Sequence, residues 1–382
     1  MVPHLRLDRY TLAALVLVGT MLALHLAIIN IPEREYIFDE YHYVRQARSL
    51  LSGSKIPLWH PPLGVYLIAS GMALFGDRGV GWRFFSVIFG VLSIWVLYLL
   101  VCRSTRNKSV ALFSSALYAF DSLTFVQSSI AMLDVFFVFF MLLGFLFYWR
   151  NSRLLAFAMM ALSTLCKLVG ATGFGVLIVM MLIDREKPKD LLKIVAVSVL
   201  SVAVPLWLLL LAQGVHVDPF SVLLDMARDI VYIPPITTST NASQPWDWVT
   251  NPWPIPYYLA TIVGRYRLRY RGMGNPMIWL LTLPGVIVLI FDYIRHRRKF
   301  SLFCLMWLVM VYFLPWYPMA LLSLRPLFLF YFLPAVGAVT VSISIGFSII
   351  MQLIGRRLWR LSVSLYMAAV IAFFITELVV RF

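Results

Sequence analysis

Residues 154–183 read LLAFAMMALSTLCKLVGATGFGVLIVMMLI, and how often this stretch crosses a bilayer decides the fold. A spanning helix needs roughly 20 mostly apolar residues, so the stretch is too long for one comfortable crossing and short for two. Its flanks settle the matter. Arg150 and Arg153 precede it, and Arg185, Lys187 and Lys189 follow it. Basic flanks stay on the cytoplasmic face, so both ends share that face and the stretch crosses twice or not at all. Two short helices broken near Lys167–Gly170 satisfy both the length and the charge.

Outward from this hairpin, apolar runs of about the required size are Tyr10–Ile31, Trp82–Cys102, Ser109–Gln127, Ala131–Tyr148, Leu191–Gln213, Pro276–Tyr293, Ser301–Tyr317, Pro326–Gln352 and Leu361–Val380. With the hairpin they give about eleven spans, an all-α polytopic membrane bundle. Arg6, Arg9, Arg103, Arg106, Lys108, Arg295, Arg297, Arg298, Lys299, Arg356, Arg357 and Arg360 then fall on the same face as the hairpin's flanks. That face is read as cytoplasmic, with the N-terminus inside and the C-terminus outside.

The composition agrees: 62% of the 382 residues are hydrophobic and 13% charged, against about 25% charged in soluble chains. A soluble globule, a disordered tail and a secreted disulfide scaffold are excluded. The net charge of +15 is largely this topology signal. Anionic membrane lipid is its expected neighbour, and nucleic acid is not needed to explain it. Cys102, Cys166 and Cys304 all lie in apolar runs, so neither a disulfide framework nor a Cys-based zinc site is implied. The first apolar run is too long for a cleavable signal peptide. Without an internal repeat, residues 1–382 read as one membrane-embedded domain. Its outer face carries two long loops, 32–81 and 214–275, ahead of C-terminal spans in 276–382. Long ordered loops tend to carry function.

The first loop holds Ile37-Phe38-Asp39-Glu40-Tyr41-His42-Tyr43 just outside the first span. Val44, Ala47, Leu50 and Leu51 follow at helical spacing, so a short amphipathic surface helix starts near Asp39. Two adjacent carboxylates at a helix start are also what the helix dipole favours with no chemistry involved. Next comes His60-Pro61-Pro62-Leu63-Gly64, an extended turn leading into Val65–Phe75, which is too short to span. The second loop is rich in Pro and Trp around Trp246, Trp248 and Trp253, then turns basic at Arg265, Arg267, Arg269 and Arg271. Those tryptophans suit either stacking on a sugar or peptide, or anchoring at the headgroups. Asn241-Ala242-Ser243 is a glycosylation sequon, a pattern common by chance.

An Asp-Glu pair after the first span, with His-Pro-Pro-Leu-Gly about twenty residues on, resembles the dolichyl-phosphate-mannose:protein O-mannosyltransferases of the GT-C superfamily. The resemblance continues through Trp82-Arg83-Phe84-Phe85-Ser86, Phe120-Asp121-Ser122, Ile130-Ala131-Met132-Leu133-Asp134 and Cys166-Lys167-Leu168-Val169-Gly170. It resumes at Gly274-Asn275-Pro276, Leu314-Pro315-Trp316 and Arg325–Pro334. Val65 stands where the family usually has Lys, Ser129 where an arginine is common, and the large luminal domain of the fungal and animal enzymes has no counterpart here.

The resemblance implies a GT-C bundle and an inverting transfer of mannose from a polyprenyl phosphate to Ser/Thr hydroxyls of proteins on the outer face. It implies Asp39 as general base, with Glu40 as second choice or as a helper. Arg83, Lys167, Arg325 and His60 would face the donor phosphate. Asp134 and Asp121 would be charge partners of the cations or sugar contacts, since ionisable groups at membrane depth usually pair. A phosphate leaves readily, so no metal or other cofactor is expected, and the six histidines are scattered over the chain. The alternative is a GT-C transferase acting on a lipid or polysaccharide acceptor. A transporter predicts duplicated halves, which the sequence lacks. A prokaryotic plasma membrane is expected rather than the endoplasmic reticulum, and a dimer is compatible with the resemblance.

Overall fold

The computed structural model describes residues 8–231, 241–250, 254–262 and 265–379; the side chains at 230, 261–269 and 356 lie outside that description. So do Arg6 and Trp253, and the side chains of Arg265, Arg267, Arg269 and Arg356.

Helix α1 (Arg9–Ile28) opens on an Asp8 cap that accepts from the Tyr10 and Thr11 amides. Only Thr11, Ala14, Met21, His25 and Ile28 are buried along it. That spacing is one helical face, and the remaining apolar residues suit lipid. The first outer loop folds as α2 (Glu40–Leu51) and α3 (Leu63–Phe75), both where the sequence places them. Helix α4 (Gly79–Thr105) follows, then α5 (Lys108–Ala119) and α6 (Ser122–Ser128), bent by 67° at Asp121. Helix α7 (Asp134–Trp149) is buried nearly all round and forms the centre of the bundle with α4.

The stretch that decides the fold is broken at Lys167. Helix α8 (Arg153–Cys166) stops there, a 3₁₀ turn covers Leu168–Ala171, and α9 (Thr172–Ile183) leaves again. Gly170 is required at the break, because a Cβ there would lie 2.5 Å from Ser163 Oγ. Helices α10 (Pro188–Leu211) and α11 (Pro219–Val231) lead to α12 (Pro245–Thr250). An antiparallel hairpin, β1 (Ile255–Ile262) with β2 (Arg265–Gly272), then corrects the all-α expectation locally. The chain closes with α13 (Pro276–Trp279), α14 (Thr282–His296), α15 (Lys299–Leu308), a π-helical turn, α16 (Leu314–Leu321), α17 (Val336–Ile354) and α18 (Arg356–Val379).

Among the described residues seven helical stretches are long and apolar enough to cross a membrane, or eight with the bent α5–α6 pair. The remaining spans of the expected eleven correspond to α7, α8 and the 168–183 segment, which are shorter apolar helices. Lys108 pairs with Asp8, Arg103 donates to the Trp149 carbonyl, Arg153 and Lys299 share Asp184, and Arg298 holds Asp292. Three of the basic clusters, 103–108, 150–153 and 295–299, therefore meet at one end of the bundle. Along α4, Arg103 lies about 30 Å from Arg83 at 1.5 Å per residue, so the first outer loop sits at the other end.

Candidate active site

Asp39 is the N-cap of α2, yet its carboxylate caps no backbone amide. It instead lines a cavity of about 380 Å³ together with His60, Asp134, Lys167, Asn241 and Arg325. Tyr43, Phe137, Trp316, Phe328, Phe330 and Tyr331 supply much of the apolar wall. Elements far apart in sequence meet here: α2, the His-Pro-Pro turn, the start of α7, the break after α8, and the loop before α17.

The backbone turns sharply to aim Asp39. Phe38 has φ 53°, a conformation that costs a bulky residue on the order of 1–3 kcal/mol. Several contacts hold it. Its amide donates to the Tyr257 carbonyl at 3.0 Å, and its ring stacks on Tyr257 with centroids 4.2 Å apart. Tyr257 sits where the β1–β2 register shifts, between the Pro256 and Tyr258 pairings. Such a bulge re-aims a side chain. The Tyr257 hydroxyl accepts from Gln127 Nε2 at 2.8 Å, and Gly272 leaves room for the ring, since a Cβ there would lie 2.4 Å from it. The second outer loop therefore fixes the catalytic candidate of the first.

Glu40, one residue on, faces the opposite way and is fully buried. Its Oε1 accepts from Arg83 Nε and the Ala131 amide, and its Oε2 from the second Arg83 nitrogen and the Ile37 amide, all at 2.8 Å. The other Arg83 donors reach the carbonyls of Ile29, Pro32 and Glu35. Arg83 is 1% exposed with its guanidinium fully engaged, so the expectation that it binds the donor phosphate is corrected: it has no donor left to offer and does not line the cavity. Asp121 is corrected too. Among the described residues it pairs with no cation; it caps α6 through Thr124 and accepts from the Asn275 amide and Trp279 Nε1. Four neutral donors saturate it, away from the cavity.

Asp134 does find the expected cation. Both of its oxygens lie 2.9 Å from Lys167 Nζ. The Lys167 ammonium also sits 5.7 Å from the Phe330 ring centre and 5.9 Å from that of Tyr331, a cation–π cradle. Arg325 donates to the Tyr331 hydroxyl at 2.9 Å, and Trp316 stacks on the same ring at 4.5 Å. His60 Nδ1 and Trp316 Nε1 are buried with no hydrogen-bond partner among the described residues, and buried polar groups are rarely left so.

Burial raises the Asp39 carboxyl above its ordinary value of 3.8, and Asp134 adds to this while Lys167 and His42 oppose it. Burial, helped by Lys167 and Arg325, pushes His60 down to about 3. His60 is thus a neutral imidazole, offering one N–H and one lone pair, not a cation. Among the described residues no three His, Cys, Asp or Glu side chains form a group able to hold a metal.

Asn241, Tyr43, Trp316, Phe328 and Tyr331 are wall residues that sequence reasoning did not single out as site residues. In the sequence Asn241 reads only as part of a sequon, and Trp316, Phe328 and Tyr331 fall within motifs that give them no separate role. Trp248 is fully buried, with its Nε1 on Ser243 Oγ, and Trp246 is 39% exposed. Neither lines the cavity.

Residues 59–209 match the family described as dolichyl-phosphate-mannose-protein mannosyltransferase. A polyprenol-phosphate-mannose–protein mannosyltransferase of Mycobacterium tuberculosis is 36% identical over 116 residues, which is 28% of this chain and 22% of that protein. The match thus spans about a fifth of the curated relative. The fold similarity runs further. The Saccharomyces cerevisiae protein O-mannosyltransferase Pmt1–Pmt2 complex bound to the sugar donor superposes with a TM-score of 0.77 at 12% identity, covering 97% of this chain and 89% of that one. ArnT from Cupriavidus metallidurans bound to undecaprenyl phosphate gives a TM-score of 0.63 at 16% identity, covering 96% and 75%. Residues 59–209 therefore match the dolichyl-phosphate-mannose-protein mannosyltransferase family in sequence, and the chain as a whole shares its fold with the Pmt1–Pmt2 and ArnT structures.

Proposed function

We propose that this protein transfers a mannosyl group from a polyprenyl phosphate to the hydroxyl of a Ser or Thr in a protein acceptor. The observation that carries the reading is the Asp39 carboxylate: it caps no backbone amide and accepts no hydrogen bond among the described residues, is made more basic by burial, and faces the cavity that holds Lys167, His60 and Arg325. The acceptor oxygen attacks the anomeric carbon from the side opposite the phosphate, so the configuration inverts. The new C–O bond forms as the bond to the phosphate oxygen breaks. The hydroxyl proton passes to Asp39, and the leaving phosphate keeps the electron pair.

Each wall group has a part in this step. Asp39 next to the reaction centre also stabilises positive charge developing at the sugar carbon. Arg325 and the Lys167–Asp134 pair receive the phosphate, where electrostatic contacts sheltered from water count for most. His60 contributes a neutral hydrogen bond. Glu40 and Arg83 position Asp39 and touch neither substrate. The chemistry needs no metal, because the phosphate is already a good leaving group. The active end faces the outside of a prokaryotic plasma membrane, opposite the basic end, by the positive-inside rule.

The test gives purified wild-type and Asp39→Asn protein a radiolabelled polyprenyl-phosphate mannose and a Ser/Thr-rich peptide. Transfer by the wild type, lost by about 10²–10⁴-fold in the variant, is the expected result. Equal transfer by both would remove Asp39 as the base. A folded, donor-binding protein that labels lipid or glycan but no peptide would move the acceptor to that class.

A further inference from the structure

A second cavity, of about 460 Å³, lies at the basic end of the bundle, among the ends of α4, α7 and α17 and the α14–α15 turn. Trp149, Arg298 and Lys299 line it. The two cations already have carboxylate partners: Arg298 holds the fully buried Asp292 at 2.9 Å, and Lys299 holds Asp184 at 2.7 Å. Both carboxylates have further donors. Asp292 also accepts from His296 and Ser301, and Asp184 from Tyr148. The cations are therefore placed by the fold and charge-paired, yet their side chains stay 52% and 40% exposed and line the cavity, so each can take a further acceptor.

Trp149 supplies the decisive feature. Its Nε1 is buried and has no hydrogen-bond partner among the described residues, while Lys299 Nζ lies 5.5 Å from its ring centre. An orphan N–H on a cavity wall that also carries two cations is suited to an anion with several acceptor oxygens. A neighbouring cavity of about 310 Å³ is walled by Phe113, Phe347 and Trp359, and the two cavities share Asn107, Val110, Ser348 and Met351. The groove of paired cavities is therefore cationic where Arg298 and Lys299 lie and mixed beyond, where Phe113, Phe347 and Trp359 stand beside Ser109, Ser344 and Arg360.

We propose that this groove binds the phosphate of an anionic phospholipid, with Trp149 Nε1, Arg298 and Lys299 on the headgroup and an acyl chain along Phe113 and Phe347. The site is independent of the transfer chemistry. General attraction of basic flanks to anionic lipid would not depend on an uncharged indole N–H, and this separates the two explanations.

The experiment uses the delipidated full chain in neutral detergent. Lipid retention in native mass spectrometry and the thermal midpoint are read with phosphatidylglycerol, phosphatidylcholine or inorganic phosphate added. Phosphatidylglycerol is expected to bind and raise the midpoint, whereas phosphatidylcholine is not. Trp149→Phe keeps the ring and every charge, and should weaken phosphatidylglycerol binding by roughly tenfold, as loss of one hydrogen bond to a charged group does. Lys189→Gln removes an exposed charge outside the groove and should change nothing. Arg298→Gln, if it folds, should match or exceed the Trp149→Phe loss. Undiminished binding by Trp149→Phe, or equal binding of phosphatidylcholine, would overturn the proposal. Inorganic phosphate reproducing the whole effect would overturn the lipid assignment in favour of a soluble phosphate.

Discussion

Replacing Glu40 by Gln separates the two adjacent carboxylates by role. Each Glu40 oxygen accepts two hydrogen bonds, one from Arg83 and one from a backbone amide. A glutamine must put its NH₂ where one of those oxygens stands, so a pair of accepted bonds becomes a pair of donor–donor contacts. The Arg83 charge, 1% exposed, is left without its counter-ion. Removing one partner of a buried ion pair costs about 3–5 kcal/mol. That is a large part of the roughly 5–15 kcal/mol that holds a typical domain folded. Asp39→Asn removes no capping bond, and a substitution away from such features changes stability by about 0.5 kcal/mol or less. Thermal unfolding in detergent, read beside the yield of monodisperse protein, should show Glu40→Gln strongly destabilised or unfolded and Asp39→Asn unchanged. Transfer activity per folded molecule should fall far more in Asp39→Asn. A Glu40→Gln protein with the wild-type midpoint but no activity would refute the division and return Glu40 to the chemistry.

Activity should fall on the acid side at a pH above 3.8, because burial raises the Asp39 carboxyl and the base works only when deprotonated; a rate profile whose acid limb lies at or below 3.8 would count against Asp39. Lys167→Met strands Asp134 in the cavity wall and removes the ammonium 2.9 Å from it, so donor binding should weaken at least about tenfold, measured by retention of the lipid-linked sugar, and Asp134→Asn in the same background should recover part of the lost stability. Gly272→Ala places a Cβ 2.4 Å from the Tyr257 ring, which should release Phe38 and lower the turnover rate about tenfold or more with donor binding retained; unchanged turnover would mean that the hairpin does not govern Asp39. Asn241 should carry no glycan when the protein is made in a glycosylating host, because it lines the active cavity and the Ser243 amide is tied to the Leu327 carbonyl; a glycosidase-sensitive mass shift would contradict this.

Much of the bundle was legible because apolar length and basic flanks are strong one-dimensional signals. The break at Lys167 is the clearest instance: charge on both sides of an awkward length required a hairpin, and the chain does turn there. The β1–β2 hairpin was missed, although Arg265, Tyr266, Arg267, Leu268, Arg269, Tyr270 and Arg271 alternate with the period of a strand. The four arginines, set against the positive-inside trend, mask that alternation. At the site, Asp39, His60, Lys167, Asp134 and Arg325 come from separate motifs and line one cavity. Arg83 and Asp121 do not, because sequence shows that an ionisable group lies at membrane depth but not whether the fold has already saturated it.

Adjacent carboxylates diverge here for a geometric reason. Asp39 is the last residue before α2 and Glu40 the first within it, so the turn that starts the helix sends their side chains to opposite sides. On one side the bundle supplies a buried guanidinium and two backbone amides, enough to keep Glu40 as a fixed anchor. On the other it supplies no donor among the described residues, so the Asp39 carboxylate is kept for the cavity. The left-handed Phe38 just before the base adds local cost, which the stack on Tyr257 and the hydrogen bond from its amide to the Tyr257 carbonyl offset. Such a stack contributes about 0.5–1.5 kcal/mol beyond burial, comparable with the cost of the turn itself. The aim of Asp39 therefore depends on a hairpin more than two hundred residues away, and the two outer loops operate as a single device.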